Sequence, residues 1–133
     1  MSAQTVTCST PRYMLQQDSQ PIGPDIVQGL HGQSVLAIYG FSGKAAYDTF
    51  IANSEGDLRP YPVMKGYLSN HLANKDVETY IMILDAVGPV AESLDAAAFE
   101  SVLDAQSKSK PHLVRDFQLT FIAASHAYSV EGQ

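Results

Sequence analysis

The chain has 133 residues, 45 % of them hydrophobic, enough for one domain with its own core and too many for wholesale disorder. Its net charge is −6, and its 8 basic residues are scattered, which argues against a nucleic-acid partner. No apolar run approaches the ~20 residues that span a bilayer, the N-terminus lacks the basic start and apolar middle of a secretory signal, and the lone Cys8 excludes an intrachain disulfide; a cytoplasmic protein without a membrane partner is expected.

Residues 1–33 are polar and carry Pro11, Pro21 and Pro24 with Gly23, Gly29 and Gly32, so they read as a loop-rich arm. Within it PRYMLQQ suits a short strand and GPDIVQGL a helical turn. SVLAIYGF (34–41) is apolar on both faces and predicts a strand covered on both sides. Residues 42–56 then switch to a helical period, with Tyr47, Phe50 and Ile51 on one face, Ser42 as N-cap and Gly56 as stop.

Residues 61–70, with Pro62 near their start, read as an edge strand, and 71–76 as a turn. Residues 77–86 form the second two-sided strand. A second helix over 93–110 is marked by Phe99, Val102 and Leu103 and is stopped by Pro111. Alternation over 113–124 predicts a second edge strand, and 125–133 are left as a tail.

The order β-α-β-β-α-β is that of the ferredoxin-like split βαβ fold, an α+β architecture with a four-stranded antiparallel sheet and two helices on one face. The expected organisation is therefore an arm over 1–33, a ferredoxin-like domain over 34–124 and a tail. The second sheet face would keep apolar side chains from 35–41 and 77–84, and either the arm or another copy must cover it. A homo-oligomer, dimer or higher, is expected.

IYGFSGKAAYDTF (38–50) surrounds Ser42 with Gly40 and Gly43 and adds Lys44. A Walker A loop needs its glycines farther apart and a Ser or Thr after the Lys, where this chain has Ala45. What remains is an ordinary strand-to-helix turn, or an anion site on a helix N-terminus. The expected topology gathers Ser42, Gly43, Lys44, Asn70, His71 and His112 at one sheet edge, with Arg115 just inside, as candidate ligand-binding residues. Tyr39, Tyr67, Tyr80 and Met82 are candidates for an interface or for the wall of a cavity between subunits. No HxH, HxxE or CxxC spacing occurs, so neither metal nor cofactor is expected.

GYLSNHLANKDVE (66–78) resembles the acylphosphatase stretch around that family's catalytic Asn, with Asn70 at the matching position. YGFSGKAAYDTF is similar to the family's Gly-rich loop in its glycines and Tyr47, but Asp48 stands where the family has its phosphate-clamping Arg. The resemblance implies a phosphate or acyl phosphate ligand at the sheet edge. Beside it stand two further readings: a non-catalytic binding or interaction module, which is the leading expectation, and an enzyme of the dimeric α+β-barrel kind acting on a small hydrophobic substrate.

Overall fold

A computed structural model describes residues 7–29, 34–74, 79–89 and 91–132. Among them lie eleven strands and three helices. In chain order these are β1 (Thr7–Ser9), β2 (Tyr13–Gln17), β3 (Gln20–Pro21), β4 (Ile26–Gln28), β5 (Val35–Phe41), α1 (Lys44–Ala52), β6 (Arg59–Pro62), α2 (Lys65–Asn74), β7 (Thr79–Leu84), β8 (Ser93–Ala98), α3 (Phe99–Ser107), β9 (His112–Val114), β10 (Phe117–Ile122) and β11 (Ala127–Gly132).

The ferredoxin-like expectation is overturned. The main sheet runs β3-β2-β5-β7-β8-β10-β11-β4, with β6 on β2, and β1 pairs separately with β9. At its centre β5 and β7 are parallel, from Val35↔Thr79 to Gly40↔Leu84, where a four-stranded antiparallel sheet would have opposed them. The cause lies between them. Of the edge strand expected over 61–70 only Tyr61 and Pro62 are extended, as the end of β6, and Lys65–Asn74 is helical. Its Leu68 is buried and Tyr67, His71 and Leu72 are half-buried, the i, i+3, i+4 spacing of a helix face. The chain thus crosses over through α1, the short β6 on β2 and α2 before it returns beside β5, and parallel neighbours require such a crossover. The stretch 75–78, expected to finish a turn and open a strand, lies outside the described residues.

Other expectations shift for similar reasons. The first six residues of the expected second helix, Ser93–Ala98, form β8, between β7 and β10. Leu94 and Ala96 point to one cluster and Ala97 to the other, a period of two. The expected edge strand over 113–124 is broken into β9 and β10 at Arg115–Asp116, where the Asp116 carboxylate accepts the Ala98 amide at 2.9 Å. The tail supplies β11, which pairs with β10. GPDIVQGL contributes β4, a strand and not a helical turn.

Both faces of the sheet are covered within this one chain. Outside, Tyr80, Met82 and Leu84 lie with Leu68 of α2 and with Phe99, Val102 and Ala105 of α3. Inside, Ala37, Tyr39, Phe41, Ile81, Ile83, Leu94, Ala96, Leu119, Tyr128 and Val130 share one cluster with Phe50 of α1. Strands from both ends of the path meet there because residues 22–28 close the sheet. The Tyr39 amide donates to the Ile22 carbonyl at 3.0 Å and the Tyr128 amide to the Asp25 carbonyl at 2.8 Å, and β4 continues parallel to β11. The result is barrel-like. No helix among the described residues is long and apolar enough to cross a membrane.

Candidate ligand-binding cleft

The structure disperses the residues expected at one edge. Ser42 does not cap α1; Gly43 takes that position with no side-chain bond. Instead the Ser42 amide and hydroxyl both donate to the Asp85 carboxylate, at 2.7 and 2.8 Å. An internal carboxylate therefore sits on the strand-to-helix turn. Lys44 is exposed and pairs with Asp48 one helical turn on. Asn70 is exposed on α2, so the stretch resembling an acylphosphatase strand-and-turn is a helix as far as Asn74. His112 is exposed at the start of β9, while Arg115 donates to Asp95 at 2.8 Å.

His71 belongs to an aromatic group under α2. Its ring lies 4.6 Å from Tyr67 and 5.1 Å from Tyr80, and Tyr80 stacks on Phe99 at 5.4 Å. Burial, with Tyr80 beside it, pushes the Tyr67 phenol up to about 12. Tyr67 and His71 border a cavity of about 480 Å³ whose far wall is Pro21, Gly23, Pro24 and Asp25. Met82 is wholly buried and lines neither this cavity nor the larger one below.

The larger cavity, about 710 Å³, opens where α1 ends, beside the β7–β8 connection and the β10–β11 turn. This is the carboxyl end of the parallel strands β5 and β7, the usual seat of ligands in sheets of this kind. Tyr39, Phe50 and Tyr128 are its buried lining. Sequence alternation accounts for all but Phe50: Tyr39 and Tyr128 occupy inward positions of β5 and β11, while Phe50 comes down from α1 to meet Tyr39 at 4.5 Å. The exposed rim carries Gln17, Asp25, Asn53, Glu55, Pro89 and His126.

Three polar side chains of the lining are held by backbone carbonyls. Tyr128 donates to the Ala91 carbonyl at 2.6 Å, Asn53 to Val87 at 2.8 Å and Ser54 to Phe50 at 2.6 Å. The His126 ring packs edge-on to Phe121. Tyr39 differs. The residue is only 4 % exposed and no side-chain hydrogen bond holds its hydroxyl among the described residues, yet the hydroxyl keeps access to the cleft, since the buried unpartnered side-chain oxygen among those residues is Gln106 Oε1. Burial first, then Tyr128 and Asp25, holds the Tyr39 phenol well above its ordinary range, so at neutral pH it stays protonated and uncharged.

Of the cleft residues, Tyr39 is the one that the sequence marks as a candidate for a cavity wall. Asp25, Glu55, His126 and Tyr128 were missed because they come from the arm, from a helix end and from the tail. The alternation of apolar and polar residues in AYSVEG was the available signal for Tyr128. No group of three or more His, Cys, Asp or Glu among the described residues is arranged to hold a metal ion. Cys8 is half-buried, and burial, then Asp95, raises its thiol toward the inert protonated form. No protein-family model, no curated protein and no solved structure matches this chain, so what it does must follow from its own residues.

Proposed function

We propose that the protein is a small binding module that takes an organic ligand into the cleft at the carboxyl end of β5 and β7, without chemistry of its own. The observation that carries this reading is the unpartnered hydroxyl of Tyr39 on an otherwise aromatic floor. A hydroxyl open to the cleft and not spent on the chain itself is free to bond a ligand, and such a bond contributes about 0.5–1.5 kcal/mol net. Aromatic walls with a few convergent polar groups are the ordinary make-up of a small-molecule site. Two groups of the lining are poorly suited to catalysis. Ser54 spends its hydroxyl on the helix carbonyl, and Tyr39 is held too firmly protonated to serve as a base near neutral pH.

An interaction module working through a sheet face has less support, because α2, α3 and the closing segment pack against the sheet. The test of the cleft is saturation-transfer NMR with a mixed set of small ring compounds. The Glu55→Trp variant, which places a large side chain at the exposed mouth, is the control. Transfer to some of the set, lost in the variant at unchanged thermal stability, is expected. No transfer, or transfer indifferent to the plug, overturns the reading.

A further inference from the structure

We propose that the ligand of this cleft is a small organic cation, an amine or quaternary ammonium head on a compact body. The proposal rests on the cleft being a ligand site and adds the charge. The lining contains the carboxylates of Asp25 and Glu55, and neither Lys nor Arg among the described residues. An anion would meet two like charges there. It would also find few free donors, since Asn53 is engaged with Val87 and Tyr128 with Ala91.

A cation meets the opposite. Tyr39, Phe50 and Tyr128 supply electron-rich rings, and a cation within about 6 Å of a ring face is attracted by about 0.5–2 kcal/mol. The Tyr39 and Phe50 rings pack on each other at 4.5 Å, inclined by 51°, in the floor of the cleft. The Tyr39 oxygen, without a partner, can accept from an ammonium, and the rim carboxylates neutralise the charge at the mouth. The net charge of −6 draws cations toward the molecule from a distance.

A neutral ligand would gain the apolar contact but leave both carboxylates unused. Choline and its uncharged isostere, the dimethylbutanol with carbon in place of nitrogen, separate these cases. Both are titrated into the full chain by calorimetry and by tyrosine emission, which no tryptophan obscures. Choline should bind at least about tenfold tighter than the isostere, equivalent to about 1.4 kcal/mol. The double variant Asp25→Asn, Glu55→Gln, which changes two exposed side chains, should bring choline down to the isostere's affinity.

Equal binding of the two probes overturns the cation proposal and leaves the ligand site standing. So does failure of both probes when the ring compounds still show transfer that the Glu55→Trp plug abolishes. Failure of both probes together with no transfer removes the site itself. Choline binding that the double variant leaves unchanged also refutes the proposal, because the charge would then lie elsewhere.

Discussion

The two oxygens of Asp85 take both donors of Ser42 and so tie the end of β5 to the end of β7. Asp85 adopts a left-handed backbone, φ 51°, to do so, and its own amide returns to the Gly40 carbonyl. Replacing it with Ala leaves the Ser42 amide without its acceptor. Asp85→Ala should cost about 1–3 kcal/mol in a urea titration, and Ser42→Ala about 1 kcal/mol. Tyr39→Phe should behave differently. It removes a hydroxyl with no internal partner, so stability should change by less than about 0.5 kcal/mol while ligand binding weakens. A large loss of stability in Tyr39→Phe would reveal an internal partner and weaken the case for the cleft. The role of Ser42 was not legible in the sequence. A Ser before a helix is a good cap by local rules, and its true partner lies 43 residues away, brought close only by parallel pairing.

At the scale of elements, the strongly patterned segments were legible. The two-sided strands around 35–41 and 79–84 and the helix over 44–52 lie close to where periodicity places them. Ser93–Ala98 was not legible because three consecutive alanines favour a helix locally. In the fold they are wanted for their small size, one layer from α3 outside and one layer from the core inside. A helix continuing to Phe99 would expose Ala97; the strand buries it completely. Ala97→Leu should therefore destabilise by about 1–3 kcal/mol, where a solvent-facing helical position would tolerate it. Gly23 makes the same point in the closing segment. A Cβ there would lie 1.7 Å from the Ala37 carbonyl oxygen, backbone against backbone. Gly23→Ala should cost about 3 kcal/mol or more, whereas Gly43→Ala, with open space around it, should be nearly silent in the same melts.

For the whole molecule, three phenols titrate late: Tyr39 and Tyr128 are raised and Tyr67 reaches about 12, burial being the first cause in each case. Each ionises more readily in the unfolded chain. Their contribution is fully present below the ordinary phenol value of about 10 and is lost as pH climbs toward and past 12. Unfolding followed by circular dichroism should thus coincide with the ionisation of these three of the chain's seven tyrosines, the last part of the rise in tyrosinate absorbance. Ionisation well before unfolding would show the rings to be more accessible than their burial implies. What the sequence could not convey at this scale is closure. Residues 1–33 have the composition of a loop, and nothing local marks 22–28 as the seam that joins β5 to β11.

That seam bears on how the protein is made. The segment around Asp25 leaves the ribosome about a hundred residues ahead of its partner Tyr128. During synthesis the inner face of the sheet stays open, with Tyr39, Ile81 and Ile83 waiting for a strand not yet translated. Contacts of such long range form slowly, and a nascent chain with an unsealed apolar face is a natural client for chaperones. A stop codon before Ala127 would leave that condition permanent, so such truncations should collect in the insoluble fraction.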